Sequence, residues 1–354
     1  MDAAAKEFFI QVLETPSPSG YEQPVQELVR KYTGKFADEV RTDLHGNVIS
    51  VCNPKAPLRL MFAGHCDQIG LIVSHIDDDG FVYTNPIGGW DPQQLIGQRL
   101  SIHSRSGPVP AVIARKPIHL LNDDEKSKAV KAKDLWLDMG AKNKKEALET
   151  VAIGDAVTLE LGYQEMRNNY ANSPGMDNKT GLWVCIEGAR RAKERGGLKV
   201  GLYAVSTVQE EIGLRGATTS SYGVNPQVGV AVDVTHATDC PTVDKCQEGD
   251  IRLGNGPVIY RGPNMNPVVV DYLRSAAEKA EIKIQWGAAG RGTGTDANTM
   301  QLSRGGVATG LVSIPNRYMH SRVEMISLED IDRAADLLCE FALSLPADPD
   351  FTPR

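Results

Sequence analysis

Two adjacent glutamates, Glu210 and Glu211, are the side chains of this sequence that most clearly suggest chemistry. They follow an apolar run, residues 199–205, that is typical of a buried strand in a parallel sheet. Ligands of open α/β sheets bind where such strands end, so both carboxylates are expected at a functional edge. Because neighbouring residues of an extended chain point to opposite sides, one glutamate could bind a metal ion and the other a water molecule. A Glu-Glu pair alone is more typical of a solvated loop.

Other groups that suit metal binding also stand at predicted element ends. They are His65 with Asp67, Asp177 at a helix start, Asp233, and His320 after the last strand. Imidazole and carboxylate together favour zinc, cobalt or manganese over calcium. Each residue has an ordinary alternative: a local hydrogen bond for His65 and Asp67, a helix cap for Asp177, a polar strand end for Asp233. His236 is a weaker candidate, because it is only near Asp233 in sequence.

The elements around these groups alternate between helices and strands. Helical patterns cover residues 2–14, about 21–35, 178–193, 267–280 and the chain after Ser327, and strand patterns cover 58–63, 199–205, 228–232 and 308–314. Residues 39–52 suggest a hairpin. This order predicts an α/β fold, with a central mixed, largely parallel sheet flanked by helices.

One long segment interrupts that pattern. Between Ile69 and about Tyr163, short strand patterns at 70–74, 81–84, 99–103, 109–114 and 135–140 are separated by turns and by a charged loop at 122–134. Regularly spaced short strands predict a small β-barrel. We therefore expect a catalytic domain formed by residues 1–68 and 164–354, with residues 69–163 inserted as a barrel.

Composition excludes several classes of function. The chain has 354 residues and a formal net charge of −7, which argues against a nucleic-acid-binding surface. We expect no membrane span, because no segment approaches the ~18 apolar residues required. The sequence also shows no secretory signal, and its six cysteines lack CxxC spacing, so we expect reduced thiols in a cytoplasmic protein.

The motifs around the candidate residues resemble those of the tetrahedral aminopeptidases, a family of glutamyl, leucyl and deblocking aminopeptidases with some relatives labelled endoglucanase. The matching stretches are GHCDQIG at 64–70, SPGMDNKTG at 173–181, VQEEIGLRGA at 208–217, AVD at 231–233, GTDA at 294–297 and RYMHS at 317–321. The resemblance spans nearly the whole chain, including the position of the insert.

The resemblance implies a co-catalytic metallopeptidase fold with two divalent metal ions, zinc or cobalt with manganese as an alternative. His65, Asp177 and Asp233 would bind one ion; Asp177, Glu211 and His320 would bind the other. Glu210 would be the general base for a water between the ions, and Asp67 would accept the free ring N–H of His65. The substrates would be short peptides trimmed from the N-terminus. The insert would pair subunits into dimers that assemble as a tetrahedral dodecamer.

Three alternatives stay open from the sequence: a related metal-dependent carboxypeptidase or deacylase, an endoglucanase, and a scaffold without activity. The carboxypeptidases and deacylases of this type insert their second domain later in the chain, so the position of the insert here argues against that alternative. A glycosidase needs two carboxyls ~5–9.5 Å apart across a bond, whereas the metal pattern occupies the available acids. Arg261, Arg291 and Arg317 could each favour an acidic first residue of the substrate through a bidentate contact, or could lie on the surface.

Overall fold

The computed structural model describes residues 1–160 and 162–354. The α-helices in these ranges are α1 (Ala3–Glu14), α2 (Gln23–Thr33), α3 (Asp123–Ser127), α4 (Lys144–Leu148), α5 (Met176–Arg195), α6 (Arg215–Val224), α7 (Lys245–Glu248), α8 (Pro267–Lys279), α9 (Asp296–Met300) and α10 (Leu328–Ser344). The strands are β1 (Glu39–Thr42), β2 (Val48–Cys52), β3 (Arg59–His65), β4 (Gly70–Ile76), β5 (Val82–Ile87), β6 (Arg99–Ser104), β7 (Gly107–Ala114), β8 (Trp136–Asp138), β9 (Ala156–Leu159), β10 (Gln164–Met166), β11 (Tyr170–Asn172), β12 (Gly201–Thr207), β13 (Val228–His236), β14 (Val258–Arg261), β15 (Gln285–Ala288), β16 (Ala308–Asn316) and β17 (Met325–Ser327).

The main sheet is mixed, with a parallel centre. Its strand order is β1-β2-β12-β3-β13-β16-β14-β15. The four neighbours β12, β3, β13 and β16 are parallel to one another, whereas β2 and β14 join them antiparallel. Strand β12 is buried along its whole length, as expected for a central strand covered on both faces. The predicted α/β fold class is confirmed.

Helices cover both faces of this sheet. A Cβ on Gly229 of β13 would meet Met300 of α9, and a Cβ on Gly310 of β16 would meet Val269 and Leu273 of α8. Gly229 pairs with Thr309, the neighbour of Gly310, and alternate residues of a strand face opposite sides. Helices α8 and α9 therefore lie on opposite faces. Helix α5 packs against β3, β12, β13 and α10, so it is the central helix of its layer.

The inserted segment forms a closed barrel with strand order β4-β5-β8-β7-β6-β9 and a separate apolar core. Its strands lie between Gly70 and Leu159. The domain boundaries at 68/69 and 163/164 stay a prediction. The charged loop begins with a short helix, α3, capped by Asn122 and Glu125.

Some elements differ from the sequence expectation. Strand β13 continues past residue 232 to His236, and helix α5 begins at Met176, slightly before its predicted start. Helix α6 and the small three-stranded sheet β10-β11-β17 were not predicted. The last helix begins after Ser327 as predicted, with Ser327 as its cap. Its buried face includes Ile331, Ala334, Leu337, Leu338 and Phe341. Among the described residues, no helix is both long and apolar enough to cross a membrane.

Candidate metal centre

The candidate side chains meet at one edge of the main sheet. His65 is the last residue of β3, Glu210 and Glu211 follow β12, and Asp233 lies within β13. These strands are parallel neighbours, so their carboxyl ends lie side by side. His320 follows β16, the next parallel strand, and Asp177 is in the first turn of α5.

A close contact between two glycines brings the start of α5 to this edge. A Cβ on Gly64 would lie 2.6 Å from the backbone carbon of Gly181, so this approach requires glycine at position 64, whereas a Cβ on Gly181 would instead clash with Asn178 Oδ1 (2.3 Å) and Val232 O (2.6 Å). The side chain of Asn178 fixes the same turn: its Nδ2 donates to Val232 O (2.7 Å), and its Oδ1 accepts from the Gly181 N–H (2.9 Å). Asp177 is thereby held between β3 and the end of β13.

Asp177 lies between two histidines. Its Oδ1 is 3.3 Å from His65 Nε2, and its Oδ2 is 3.3 Å from His320 Nε2. Glu211 Oε2 is 3.4 Å from His320 Nε2, and Asp233 Oδ1 is 3.7 Å from His65 Nε2. The structure thus brings all five predicted ligands together as two groups that share the Asp177 carboxylate.

Glu210 lies beside the His65 group. Its Oε2 is 3.7 Å from His65 Nε2, the same distance as Asp233 Oδ1. The carbonyl of Glu210 accepts from the N–H groups of Gly213 and Leu214, both at 2.9 Å, so a tight turn follows the two glutamates. His65, Glu210 and Asp233 together could hold one ion, and so could His65, Asp177 and Glu211. Glu210 is therefore within reach of any cation bound there.

The acids of the site are buried at high density. Burial raises the pKa of Glu210 to about 10, against the opposing effect of His65, and burial also raises the pKa of Glu211 to about 7. Burial acts in the same direction on Asp177, but its hydrogen bonds with His320 and His65 hold its pKa below the usual value. The hydrogen bond with Asp177 raises the pKa of His320 to about 11.

This donor set fits divalent cations. Glu211 Oε1 is buried and has no hydrogen-bond partner among the described residues, which is costly for a carboxylate oxygen without a cation. The site combines two imidazoles with carboxylate oxygens, the ligand types that zinc, cobalt and manganese share.

Asp67 makes different contacts from those predicted. The ring Nδ1 of His65 is 3.0 Å from the backbone carbonyl of Asp67 and 3.5 Å from its carboxylate, so the carbonyl is the acceptor. The carboxylate instead accepts from the backbone N–H groups of Glu210 (3.0 Å) and Glu211 (3.2 Å) and from Ser19 Oγ (2.7 Å). Asp67 is fully buried and supports the two glutamates as well as the histidine.

Sequence reasoning missed two further buried acids. Asp296, the first residue of α9, accepts from Thr207 Oγ1 at 2.6 Å, and burial raises its pKa to about 7. It stands in the GTDA motif, which was noted without a role for this residue. Glu324 accepts from the backbone N–H of Asp177. No local pattern marks Glu324, because its partners are distant or belong to the backbone.

A cavity of about 750 Å³ opens beside the cluster, lined by four of the five candidate acids, Asp177, Glu210, Glu211 and Asp233, and by His320. His236 and Arg291 also line it. The other two arginines have partners elsewhere: Arg261 lies 3.8 Å over the Trp286 ring, and Arg317 makes bonds of 2.8 and 2.7 Å to Asp239.

The family follows from a comparison with known proteins. Residues 46–337 match the family model described as M42 glutamyl aminopeptidase. The chain belongs to this M42 family. It is also 37% identical to the lysyl aminopeptidase of Pyrococcus furiosus, over 98% of this chain and 99% of that protein. M42 members are metallopeptidases, so the protein is a hydrolase of the aminopeptidase class.

Solved structures agree with the M42 assignment. The TET aminopeptidase of Thaumarchaeota archaeon SCGC AB-539-E09 superposes with a TM-score of 0.92 at 33% identity, covering 97% of this chain and 96% of that one. The TET1 peptidase of Pyrococcus horikoshii, described as able to assemble into a tetrahedron or a large octahedral shell, gives a TM-score of 0.86 at 30% identity, with 96% and 100% covered.

Proposed function

We propose that this M42 enzyme is a dinuclear metal-dependent aminopeptidase that removes N-terminal residues from short peptides. His65, Asp177 and Asp233 would hold one ion, and Asp177, Glu211 and His320 the other, with zinc or cobalt as the metal and manganese as the alternative. The observation that carries this proposal is the position of Asp177, whose two carboxylate oxygens face two different histidines at 3.3 Å.

The bound ions would acidify a water molecule and polarise the peptide carbonyl. Glu210 would act as the general base: the positive charge of the bound ions would counteract the effect of burial and favour its ionised form. Because its Oε2 lies beside the His65 group, it could then take a proton from attacking water and deliver it to the departing amine. Asp67 holds the backbone of Glu210 and thereby limits the positions its carboxylate can reach. The two neighbouring glutamates would thus have different roles, as expected: Glu211 would bind metal and Glu210 would transfer protons.

The preference for a free N-terminus would come from the charge of the cavity wall. Asp177, Glu210, Glu211 and Asp233 line the cavity, and with two divalent cations held among them this wall would bind the neutral α-amine of a peptide rather than its α-ammonium form.

We also propose that the protein is cytoplasmic and acts as a homo-oligomer of tetrahedral type, in which dimers form through residues 69–163. The shells described for the Pyrococcus horikoshii relative support this assembly. Ile118, Leu120, Leu148 and Ile153 are among the exposed apolar residues of the insert, whereas Trp90 and Trp136 are half-buried within it. Light scattering on the native particle tests the proposal, and a fully active monomer would contradict it.

The activity can be tested with matched peptides that have a free or an acetylated N-terminus. We expect release of the first residue from the free peptide only, loss of that release after chelation, and recovery with Zn²⁺ or Co²⁺. Release from the C-terminus would instead favour the carboxypeptidase alternative. Release of sugar from carboxymethylcellulose by metal-free protein would favour the endoglucanase.

A further inference from the structure

Glu324 joins the two segments that carry Asp177 and His320. It is 1% exposed and lies just before strand β17. Its Oε2 accepts from the backbone N–H of Asp177 at 2.9 Å, and its Oε1 accepts from the backbone N–H of His320 at 2.8 Å. One carboxylate therefore links the start of α5 to the loop after β16.

The backbone of Glu324 strengthens the same link. Its carbonyl accepts from the Ser173 N–H at 3.1 Å and from Asn172 Nδ2 at 2.9 Å. Both residues lie on the segment that leads into α5. Four hydrogen bonds thus connect this one residue to the neighbourhood of the two candidate ligands.

The loop that carries His320 needs such a support. It leaves β16 at Asn316 and is closed by paired backbone hydrogen bonds between Arg317 and Met325, of 2.9 and 3.0 Å. Inside it, Tyr318 and His320 have positive φ angles of 63° and 58°, a region that is unfavourable for residues other than glycine. The bond from the His320 N–H to Glu324 holds this conformation.

We propose that Glu324 is a positioning residue, which sets the spacing of Asp177 and His320 for the cation they would share. The side chains of the two ligands face each other at 3.3 Å, and Glu324 holds both of their backbone N–H groups. Residues that orient metal ligands typically change metal affinity by about 10–100-fold when replaced.

The chain offers a matched control for a purely structural role. Asp330 is also fully buried and also accepts two backbone N–H groups, from Gly254 and Gly256, each at 2.7 Å. Neither glycine belongs to the metal cluster. Asp330→Asn therefore measures the general cost of changing a buried carboxylate with two backbone donors, and Glu324→Gln measures that cost together with any effect on the ligands.

In the experiment, metal-free protein is titrated with Co²⁺, and the visible absorption bands and the number of ions bound per chain are recorded. The unfolding temperature of each metal-free variant is measured separately. We expect two ions for the wild type and for Asp330→Asn. For Glu324→Gln we expect one of the two ions to bind at least about tenfold more weakly, with altered bands, while its unfolding temperature falls about as far as that of the control.

Unchanged Co²⁺ affinity and bands in Glu324→Gln would overturn the inference. If that variant does not fold, Glu324→Asp replaces it, because the shorter side chain cannot reach the backbone N–H groups of both loops. Wild-type Co²⁺ affinity in Glu324→Asp would also overturn the inference. The inference rests on the proposed dinuclear site. A wild type that binds fewer than two ions would refute that site itself, whereas a normal wild type with an unchanged variant refutes only the role of Glu324.

Discussion

Asp67 accepts a hydrogen bond of 3.0 Å from the backbone N–H of Glu210. Its second oxygen accepts from the next N–H, that of Glu211, and from the hydroxyl of Ser19. A single buried carboxylate thus orients the proposed base and the proposed ligand that follows it. The sequence had suggested support of His65 alone, so the structure gives Asp67 a wider positioning role.

Asp67→Asn is expected to lower kcat by about 10–100-fold, as for other residues that orient a metal site. The amide keeps one acceptor, but its NH₂ group faces a backbone N–H that then has no partner. The measurement is steady-state kinetics with the metal content of the same preparation. Ser19→Ala, which removes only a donor to Asp67, is the control and should lose less. Full activity in Asp67→Asn would contradict the role.

Glu210→Gln separates a general base from a metal ligand. If Glu210 transfers protons, the variant should retain both ions and its unfolding temperature, while kcat falls by about 10²–10⁴-fold. Metal analysis and kinetics on one preparation check this. Glu211→Gln serves for comparison and should lose metal. Loss of metal from Glu210→Gln would instead show that Glu210, which lies as near His65 as Asp233 does, is a ligand.

Metal binding should release protons. The hydrogen bond with Asp177 raises the pKa of His320 to about 11 in the protein alone, so near pH 7 its ring carries a proton that a metal ligand must lose. The apparent affinity for Zn²⁺ should therefore rise with pH between 6 and 8. Titration of chelator-treated protein in weakly buffered solution with a pH indicator measures the release. His320→Ala should release fewer protons, and equal release would argue against this ligand.

The main sheet and the meeting of the candidate side chains at its edge could be predicted from local patterns, whereas the assignment of these side chains as metal ligands came from the family resemblance and stays a prediction. His65, Glu210 and Glu211 each end or follow a buried apolar strand, and parallel strands bring such ends to one edge. Helix α6 was missed because its sequence, RGATTSSYGV, is rich in residues that form helices poorly. It begins at Arg215, directly after the tight backbone turn that follows the two glutamates.

The supporting contacts could not be predicted because they join distant parts of the chain. Glu324 is 147 residues from Asp177, and Ser19 is 48 residues from Asp67. Backbone N–H groups are the partners of both acids, and they leave no signature in the side-chain sequence. Strand β10 is exposed throughout, so it has no alternating pattern, and only its pairing with β11 defines it.

Gly64→Ala tests whether the close approach of β3 and α5 positions Asp177. The added Cβ would lie 2.6 Å from the backbone of Gly181, where no flexible side chain can move aside. Helix α5 must shift, which should cost about 1–3 kcal/mol of unfolding free energy and weaken metal binding.

Gly223→Ala is the matched control: this glycine lies in α6 with nothing within 4 Å of the added Cβ, so alanine should stabilise the protein by about 0.5–1 kcal/mol. Denaturant unfolding and Co²⁺ titration of both variants give the two quantities. A Gly64→Ala protein as stable as the wild type, with both ions bound, would show that the helix start can adjust without moving Asp177.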